Sequence, residues 1–234
     1  MPLLEVRELD AWYGRARVLH GVALTVEIGE AVVLVGRNGA GKSTTLKSIM
    51  GLETERTGSI RFAGQEIIAW PTHMIARAGL GFVPEDRRIF GGLSVMENLA
   101  VGRLPPRDGH AWTPDELFQL FPNLGTMRDR PGARMSGGEQ QMLTMARTLM
   151  GNPGCILLDE PSEGLAPLIL EGIATAILEL KRRGVGLLVA EQNLGFARSF
   201  ADRIAVMENG AIRYAGTLAE FAADPTRVEQ YLAV

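Results

Sequence analysis

The chain has 234 residues, of which 46% are hydrophobic and 22% are charged, and its net charge at pH 7 is −3. This composition is typical of one globular domain, and the absence of a basic excess argues against nucleic acid as a partner. No apolar run reaches the 18 residues or so that a membrane-spanning helix needs, so work at a membrane requires docking onto another protein. The single cysteine, Cys155, lies in an apolar run and is interpreted as a small buried hydrophobe.

The predicted elements begin with β-strands. Alternation of apolar and polar residues over 4–9 and 22–27 predicts two half-buried strands, and the apolar run 31–35 predicts a strand buried on both faces. A helix is expected over about 42–50, with Gly51 as its C-cap. The chain therefore opens with a β-rich region followed by a strand–loop–helix unit.

The middle of the chain, from about 86 to 150, has a different pattern. Short helical segments alternate there with breaks rich in proline and glycine, which predicts an inserted helical subdomain. Thr113, Pro114 and Glu116 indicate one helix start, because they supply a capping hydroxyl, a proline in the first turn and an acid near the helix N-terminus.

The last third returns to strand–helix alternation. Apolar runs at 155–158 and 186–190 predict buried strands, and the dipeptide Asn209-Gly210 predicts a hairpin between 205–207 and 212–214. Strands that alternate with helices favour an α/β fold with a mainly parallel sheet. Residues 1–234 are interpreted as a single domain.

A glycine-rich loop follows the buried strand 31–35. Its sequence, Gly-Arg-Asn-Gly-Ala-Gly-Lys-Ser over 36–43, matches the phosphate-binding pattern G-x-x-x-x-G-K-[ST]. Backbone N–H groups and the N-terminus of the following helix would surround phosphates, with Lys42 on the β- and γ-phosphates and Ser43 on Mg²⁺. The nucleotide-binding residues predicted in this loop are Gly36, Arg37, Asn38, Gly39, Ala40, Gly41, Lys42, Ser43 and Thr44.

Two consecutive acids, Asp159 and Glu160, follow the buried strand 155–158. Carboxylates at the end of a buried strand are costly unless they are paired or bind a metal. We expect Asp159 to contact Mg²⁺ and Glu160 to polarise the attacking water in a hydrolysis reaction.

A second small-residue segment, Met-Ser-Gly-Gly-Glu over 135–139, opens a helix predicted over about 139–150. A hydroxyl and two glycines at a helix N-terminus can bind an anion. A serine N-cap alone would explain Ser136 but not the paired glycines.

These motifs, in this order, resemble those of ABC-transporter ATP-binding subunits. Residues 36–43 correspond to Walker A, 135–139 to the LSGGQ signature, 155–160 to Walker B and 161–165 to the segment that leads into the D-loop. The resemblance implies a P-loop NTPase fold with a mainly parallel central sheet, an N-terminal antiparallel β subdomain and an inserted helical subdomain. It also implies ATP hydrolysis, with nucleotide contacts from Ser136, Gly137, Gly138 and Glu139.

Three further residues follow from the same resemblance. Tyr13 occupies the place of an aromatic side chain that stacks on adenine. Glu85 stands where the family has its Q-loop glutamine, and it is expected to remain a Mg²⁺ ligand. Gln192 stands where the family has its switch histidine; it can still donate to a γ-phosphate but cannot carry charge.

The resemblance also implies an assembly. Two ATP-binding subunits, as a homodimer or heterodimer, would face each other head to tail, with each ATP between residues 36–43 of one and 136–138 of the other. Integral membrane permease subunits would contact the helical subdomain near 91–99 and hold the chain at the cytoplasmic face of the membrane. An extracytoplasmic solute-binding protein would act indirectly, through the permease.

The type of transported solute is predicted from two segments. Residues 83–90 and 189–193 resemble the ATPases of branched-chain amino acid importers, while the related urea and short-amide importers share the Glu85–Gln192 pair and a terminus like 231–234. A soluble ABC ATPase of DNA repair or translation is an alternative, although such proteins usually carry long coiled-coil inserts or two fused ATPase domains. A nucleotide-sensing module with little turnover is supported by Glu85 and Gln192 alone.

Overall fold

The computed structural model describes residues 1–52, 55–106 and 111–223. Its strands are β1 (Leu4–Tyr13), β2 (Ala16–Val26), β3 (Ala31–Val35), β4 (Glu55–Phe62), β5 (Gln65–Glu66), β6 (Leu80–Val83), β7 (Cys155–Asp159), β8 (Gly186–Glu191), β9 (Arg203–Glu208) and β10 (Ala211–Thr217). Its helices are α1 (Lys42–Met50), α2 (Thr72–Ala78), α3 (Val95–Val101), α4 (Pro114–Leu120), α5 (Pro122–Gly125), α6 (Gly137–Leu149), α7 (Pro167–Arg182), α8 (Leu194–Ala197) and α9 (Leu218–Ala223), with a 3-10 turn at Gly132–Arg134.

The strands form two sheets. A four-stranded sheet has the order β2-β1-β4-β5, and its neighbours pair antiparallel. A six-stranded sheet has the order β10-β9-β3-β8-β7-β6; β9, β3, β8, β7 and β6 run parallel, and β10 adds an antiparallel edge. The predicted fold class, a P-loop α/β fold with an N-terminal antiparallel sheet, is confirmed.

Two apolar layers cover the faces of the six-stranded sheet. On one face Val32 and Leu34 of β3 pack with residues of β1, β2, α1 and β4. On the other face Val33 joins residues of α3–α7. The predicted double burial of β3 is therefore correct. Cys155 is fully buried at the start of β7, and burial raises the pKa of its thiol to about 12, which fits its interpretation as a packing residue.

The helical elements agree with several predictions. α1 begins and ends as expected, with Gly51 in the left-handed conformation as its C-cap. α4 begins with the predicted capping box between Thr113 and Glu116, and α6 begins two residues earlier than expected. The helices α3–α6 fall within the predicted 86–150 segment, whereas the assignment of 1–234 to one domain stays a prediction. Residues 231–234 lie outside the described residues.

The sequence pattern did not predict β4, β5, α2 and β6, which lie between 55 and 83. Within the described residues, no helix is both long enough and apolar enough to cross a membrane.

Candidate functional site

The phosphate loop joins β3 to α1 at the carboxyl edge of the parallel sheet. Gly36 is buried there, and a Cβ at this position would lie 2.4 Å from the carbonyl oxygen of Met207, so a larger residue cannot fit. Gly41, the N-cap of α1, has a φ of 107°, which L side chains rarely adopt. Glycine is therefore required at both positions of the loop, and the N-terminus of α1 places partial positive charge beside the loop.

Lys42 lies in the first turn of α1 and is only 4% exposed. Its Nζ donates to the carbonyl oxygens of Gly36, at 2.8 Å, and Arg37, at 3.1 Å. It also forms an ion pair with Oε1 of Glu160 at 3.1 Å. The structure thus brings the predicted phosphate-binding lysine and the predicted catalytic acid into direct contact.

Asp159 ends β7 and is 1% exposed. Burial raises the pKa of its carboxyl, against the lowering effects of a hydrogen bond from Ser43 and the charge of Lys47. In the described part of the chain its Oδ1 atom is buried and has no hydrogen-bond partner. A buried carboxylate oxygen without a partner, beside a serine hydroxyl, is a donor set that fits Mg²⁺, which prefers few protein oxygens together with phosphate and water.

Glu85 follows β6 and lines a cleft of about 170 Å³ together with Asp159 and Lys47. Partial burial raises the pKa of the Glu85 carboxyl, as do a hydrogen bond with Glu163 and the negative charges of Glu163, Asp159 and Glu160. The two predicted carboxylate ligands therefore face the same cleft. No group of three or more His, Cys, Asp or Glu suited to a metal occurs within the described ranges.

Gln192 connects the phosphate loop to Glu160. Its Nε2 donates to Oδ1 of Asn38 at 2.7 Å and to Oε2 of Glu160 at 2.6 Å. Glu160 itself has a φ of 45°, an uncommon conformation for a residue other than glycine, and its N–H donates to the carbonyl of Ala190 at 2.9 Å. Strained backbone of this kind concentrates at functional sites.

The signature segment forms the N-terminus of α6. Ser136 is its N-cap: Oγ accepts from the N–H of Glu139, and Oε2 of Glu139 accepts from the N–H of Ser136 at 2.7 Å. Gly137 and Gly138, at the first two helical positions, keep N–H groups that lack a partner within the helix. The side chain of Arg87 borders Gly137 and that of Ile169 borders Gly138, while Glu139 forms an ion pair with Arg130 at 3.9 Å.

Tyr13 ends β1 at the tip of the β1–β2 hairpin and is 40% exposed. The same hairpin reaches the phosphate loop through Leu19, whose side chain borders Gly41. A cleft of about 390 Å³ beside the loop is lined by residues 37–40 and 207–209. Adenine stacking on Tyr13 stays a prediction.

The predicted permease contact at 91–99 offers less surface than expected, because Val95, Asn98 and Leu99 are buried. Sequence reasoning also passed over Glu191 and Ser162, which hydrogen-bond to each other beside the site. Glu191 could have been singled out from the sequence, because it is an acid directly after the buried run 186–190 and an unpaired buried carboxylate is costly. Nothing local singled out Ser162.

A phosphate loop, paired acids at a strand end and a second serine–glycine helix N-terminus define an ATP-hydrolysing P-loop protein. Residues 19–163 match the family model described as ABC transporter. The chain is 42% identical to the high-affinity branched-chain amino acid transport ATP-binding protein BraG of Pseudomonas aeruginosa, over 98% of this chain and 99% of that protein. It is 36% identical to the lipopolysaccharide export system ATP-binding protein LptB of Haemophilus influenzae, over 93% and 91% of the two chains.

A solved structure supports the same relationship. The ADP conformation of MJ1267, an ATP-binding cassette of an ABC transporter, has a TM-score of 0.82 and 28% identity and covers 100% of both chains. The chain belongs to the ABC transporter family and is an ATP-binding subunit with ATPase activity. Subunits of this family bind ATP and work with permease components in transporter complexes, which argues against the soluble DNA-repair or translation alternative.

Proposed function

We propose that this chain powers an ABC importer of branched-chain amino acids. The observation that carries the proposal is the 42% identity to BraG over nearly the full length of both proteins. The segments 83–90 and 189–193, which include Glu85 and Gln192, support it because they resemble this importer class. Two alternatives are a urea or short-amide importer, which shares the Glu85–Gln192 pair, and lipopolysaccharide export, which the 36% identity to LptB favours.

ATP is held by the loop 36–41, with Lys42 on its β- and γ-phosphates. The support is the buried lysine, whose ammonium group already lies among loop carbonyls and has the reach to exchange them for phosphate oxygens. Tyr13 provides a stacking face for adenine, which tolerates any base.

Ser43, Asp159 and Glu85 are the residues that would hold Mg²⁺. When bound, the ion neutralises charge on the phosphate oxygens. Glu160 orients and polarises the attacking water, and Gln192 donates a hydrogen bond to the γ-phosphate. Gln192 and Glu160 are supported in these roles because they already contact each other and Asn38 of the phosphate loop.

The signature residues Ser136, Gly137, Gly138 and Glu139 act on the nucleotide of a second ATP-binding subunit. They lie at the N-terminus of α6, where Arg87 and Ile169 border the two glycines and Glu139 pairs with Arg130. Lys42 has different partners: Gly36, Arg37 and Glu160. The N–H groups of Gly137 and Gly138, which have no partner within α6, support an anion-binding role. A head-to-tail dimer with ATP at its interface follows; the second subunit is another copy or, as the family resemblance favours, a related chain.

The permease docks on the helical side of the chain. A groove of about 410 Å³ there is lined by Leu52, Phe82, Phe90, Val101 and other residues. Phe90 and Val101 are about half exposed, which is unusual for large apolar side chains and favours a protein partner. The permease holds the chain at the cytoplasmic face of the membrane, and an extracytoplasmic solute-binding protein signals through it.

The test is a transport-coupled ATPase assay. The chain is co-purified with permease subunits of a branched-chain amino acid importer, reconstituted in lipid vesicles with the matching solute-binding protein, and assayed for phosphate release. Leucine, isoleucine or valine is expected to stimulate release, and the complex with Lys42→Ala is the background control. Stimulation by urea or short amides instead, or by none of these solutes, would overturn the assignment.

A further inference from the structure

Glu191, the last residue of β8, is a buried carboxylate that joins two loops. It is 1% exposed. Its Oε1 accepts from the main-chain N–H groups of Gln192, at 2.8 Å, and Asn193, at 2.9 Å. The same atom accepts from the hydroxyl of Ser162, at 2.8 Å, which belongs to the turn after Glu160. One oxygen atom therefore ties the Gln192 loop to the turn that follows Walker B.

This arrangement is costly for the fold. Within the described residues, Oε2 of Glu191 is buried and has no hydrogen-bond partner. Burial, together with the nearby charge of Glu160, raises the pKa of the Glu191 carboxyl against the lowering effect of its three donors. A half-satisfied buried carboxylate destabilises a protein, and local departures of this kind are expected where function requires them.

Glu191 joins the Gln192 loop, which contacts Glu160, to the Ser162 turn, which leads to the surface near the signature. Gln192 is exposed, and its side chain reaches Asn38 and Glu160 from a loop whose first two N–H groups are held by Glu191. Ser162 leads into the surface segment 163–168, where Leu168 is 76% exposed. In the proposed head-to-tail dimer this segment is on the side of the chain that carries the signature, since Ile169 packs against Gly138.

We infer that Glu191 is a positioning residue for ATP hydrolysis, which holds the Gln192 amide in place and couples it to the Ser162 turn. The inference rests on the proposed role of Gln192. Glu191 acts through the geometry of Oε1, so a side chain that keeps an acceptor there retains more function than one that does not. Because Gln192 contributes after the nucleotide is bound, the effect falls on kcat and leaves KM for ATP nearly unchanged.

The experiment compares steady-state ATP hydrolysis by the full chain and its variants. Glu191→Ala is expected to lower kcat about 10–100-fold and to change KM for ATP less than about 3-fold. Glu191→Gln is expected to lower kcat less than about 5-fold, because its carbonyl oxygen still accepts hydrogen bonds from the three donors. Ser162→Ala removes the hydrogen bond between Ser162 and Glu191 and keeps the two bonds from the loop N–H groups. It is expected to lower kcat by an intermediate factor, and it serves as the folded variant if Glu191→Ala fails to fold.

A double-mutant cycle separates positioning from general stability. In a Gln192→Ala background, Ser162→Ala and Glu191→Gln are expected to change kcat less than about 2-fold, because the group they position is absent. The matched control is Glu116→Ala: Oε2 of Glu116 likewise accepts an N–H and a hydroxyl, both from Thr113, but lies in the helical segment. This control is expected to keep its kcat.

Two results would overturn the inference, and they are distinguishable. If Gln192→Ala turns over like the wild type, the proposed role of Gln192 fails and Glu191 has nothing to position. Suppose instead that Gln192→Ala lowers kcat, and that Ser162→Ala and Glu191→Gln lower kcat by the same factors in this background as in the wild type. The proposed function then stands, and the positioning role of Glu191 is wrong.

Discussion

Nζ of Lys42 lies 3.1 Å from Oε1 of Glu160, which ion-pairs the lysine of the phosphate loop with the acid that follows Walker B. Both side chains are nearly buried, so the pair is shielded from solvent. Oε2 of the same carboxylate accepts from Gln192. The lysine is thus engaged by Glu160 and by loop carbonyls, and a contact with phosphate would replace some of these partners.

Lys42→Ala is expected to weaken ATP binding by at least about 100-fold, because it removes a charge-assisted contact to phosphate and leaves the Glu160 carboxylate facing the phosphates without its counter-ion. Titration with a fluorescent ATP analogue measures the loss. Lys181→Ala is the control: Lys181 ion-pairs with Asp202 at 2.8 Å, away from the phosphate loop, and its loss should leave the affinity unchanged. Unaltered affinity in Lys42→Ala would refute the assigned loop.

Glu160→Gln is expected to bind ATP, to hydrolyse it at least about 100-fold more slowly, and to accumulate as a dimer with ATP and Mg²⁺. The amide cannot take up a proton from water, so the nucleotide that bridges two subunits persists. Light scattering after size-exclusion chromatography measures the mass. Glu171→Gln, an exposed position on α7, is the control. Monomers alone in the presence of ATP and Mg²⁺ would contradict closure between two copies and point to a related subunit as the partner.

Tyr13→Ala is expected to raise the Kd for ATP about 10-fold, since stacking on a base contributes about 1–3 kcal/mol. Tyr13→Phe keeps the ring and should bind ATP within about 2-fold of the wild type. Trp12→Phe tests the neighbouring aromatic, which lies 5.8 Å from the guanidinium of Arg17 and is expected to be structural. Isothermal titration calorimetry with ATP distinguishes them. A larger effect at Trp12 than at Tyr13 would move the adenine contact to Trp12.

Glu191→Gln is expected to stabilise the nucleotide-free protein at pH 8 more than at pH 4.5. Burial is the main cause that raises the pKa of Glu191 in the folded chain above its ordinary value of 4.5. The folded state therefore loses stability as the pH rises from about 4.5 through the folded pKa, because the buried carboxyl becomes charged. The glutamine of the variant carries no charge and does not lose this stability. Thermal unfolding at both pH values measures the difference. An equal change in Tm at the two pH values would contradict a destabilising buried charge.

Much of the fold was readable from local pattern. α1 lies where the strand–loop–helix pattern predicts it, and α4 begins at the predicted Thr113 cap, because caps and glycines act over a few neighbouring residues. The region 55–83 was not predicted. β5 has two residues and β6 four, which is too short for a periodic signal, and these strands exist because they pair with β4 and β7.

The phosphate loop and the signature cap could be identified from the amino-acid sequence alone, since each is a contiguous motif whose chemistry depends on its own backbone. The contacts of Gln192 with Asn38, 154 positions away along the chain, and of Glu191 with Ser162, 29 positions away, depend on the three-dimensional fold. These contacts arise because β8 lies between β3 and β7 as a parallel neighbour of both, so that the carboxyl ends of the three strands meet at one edge. Strand order is set by packing of the whole sheet. No local pattern carries that information.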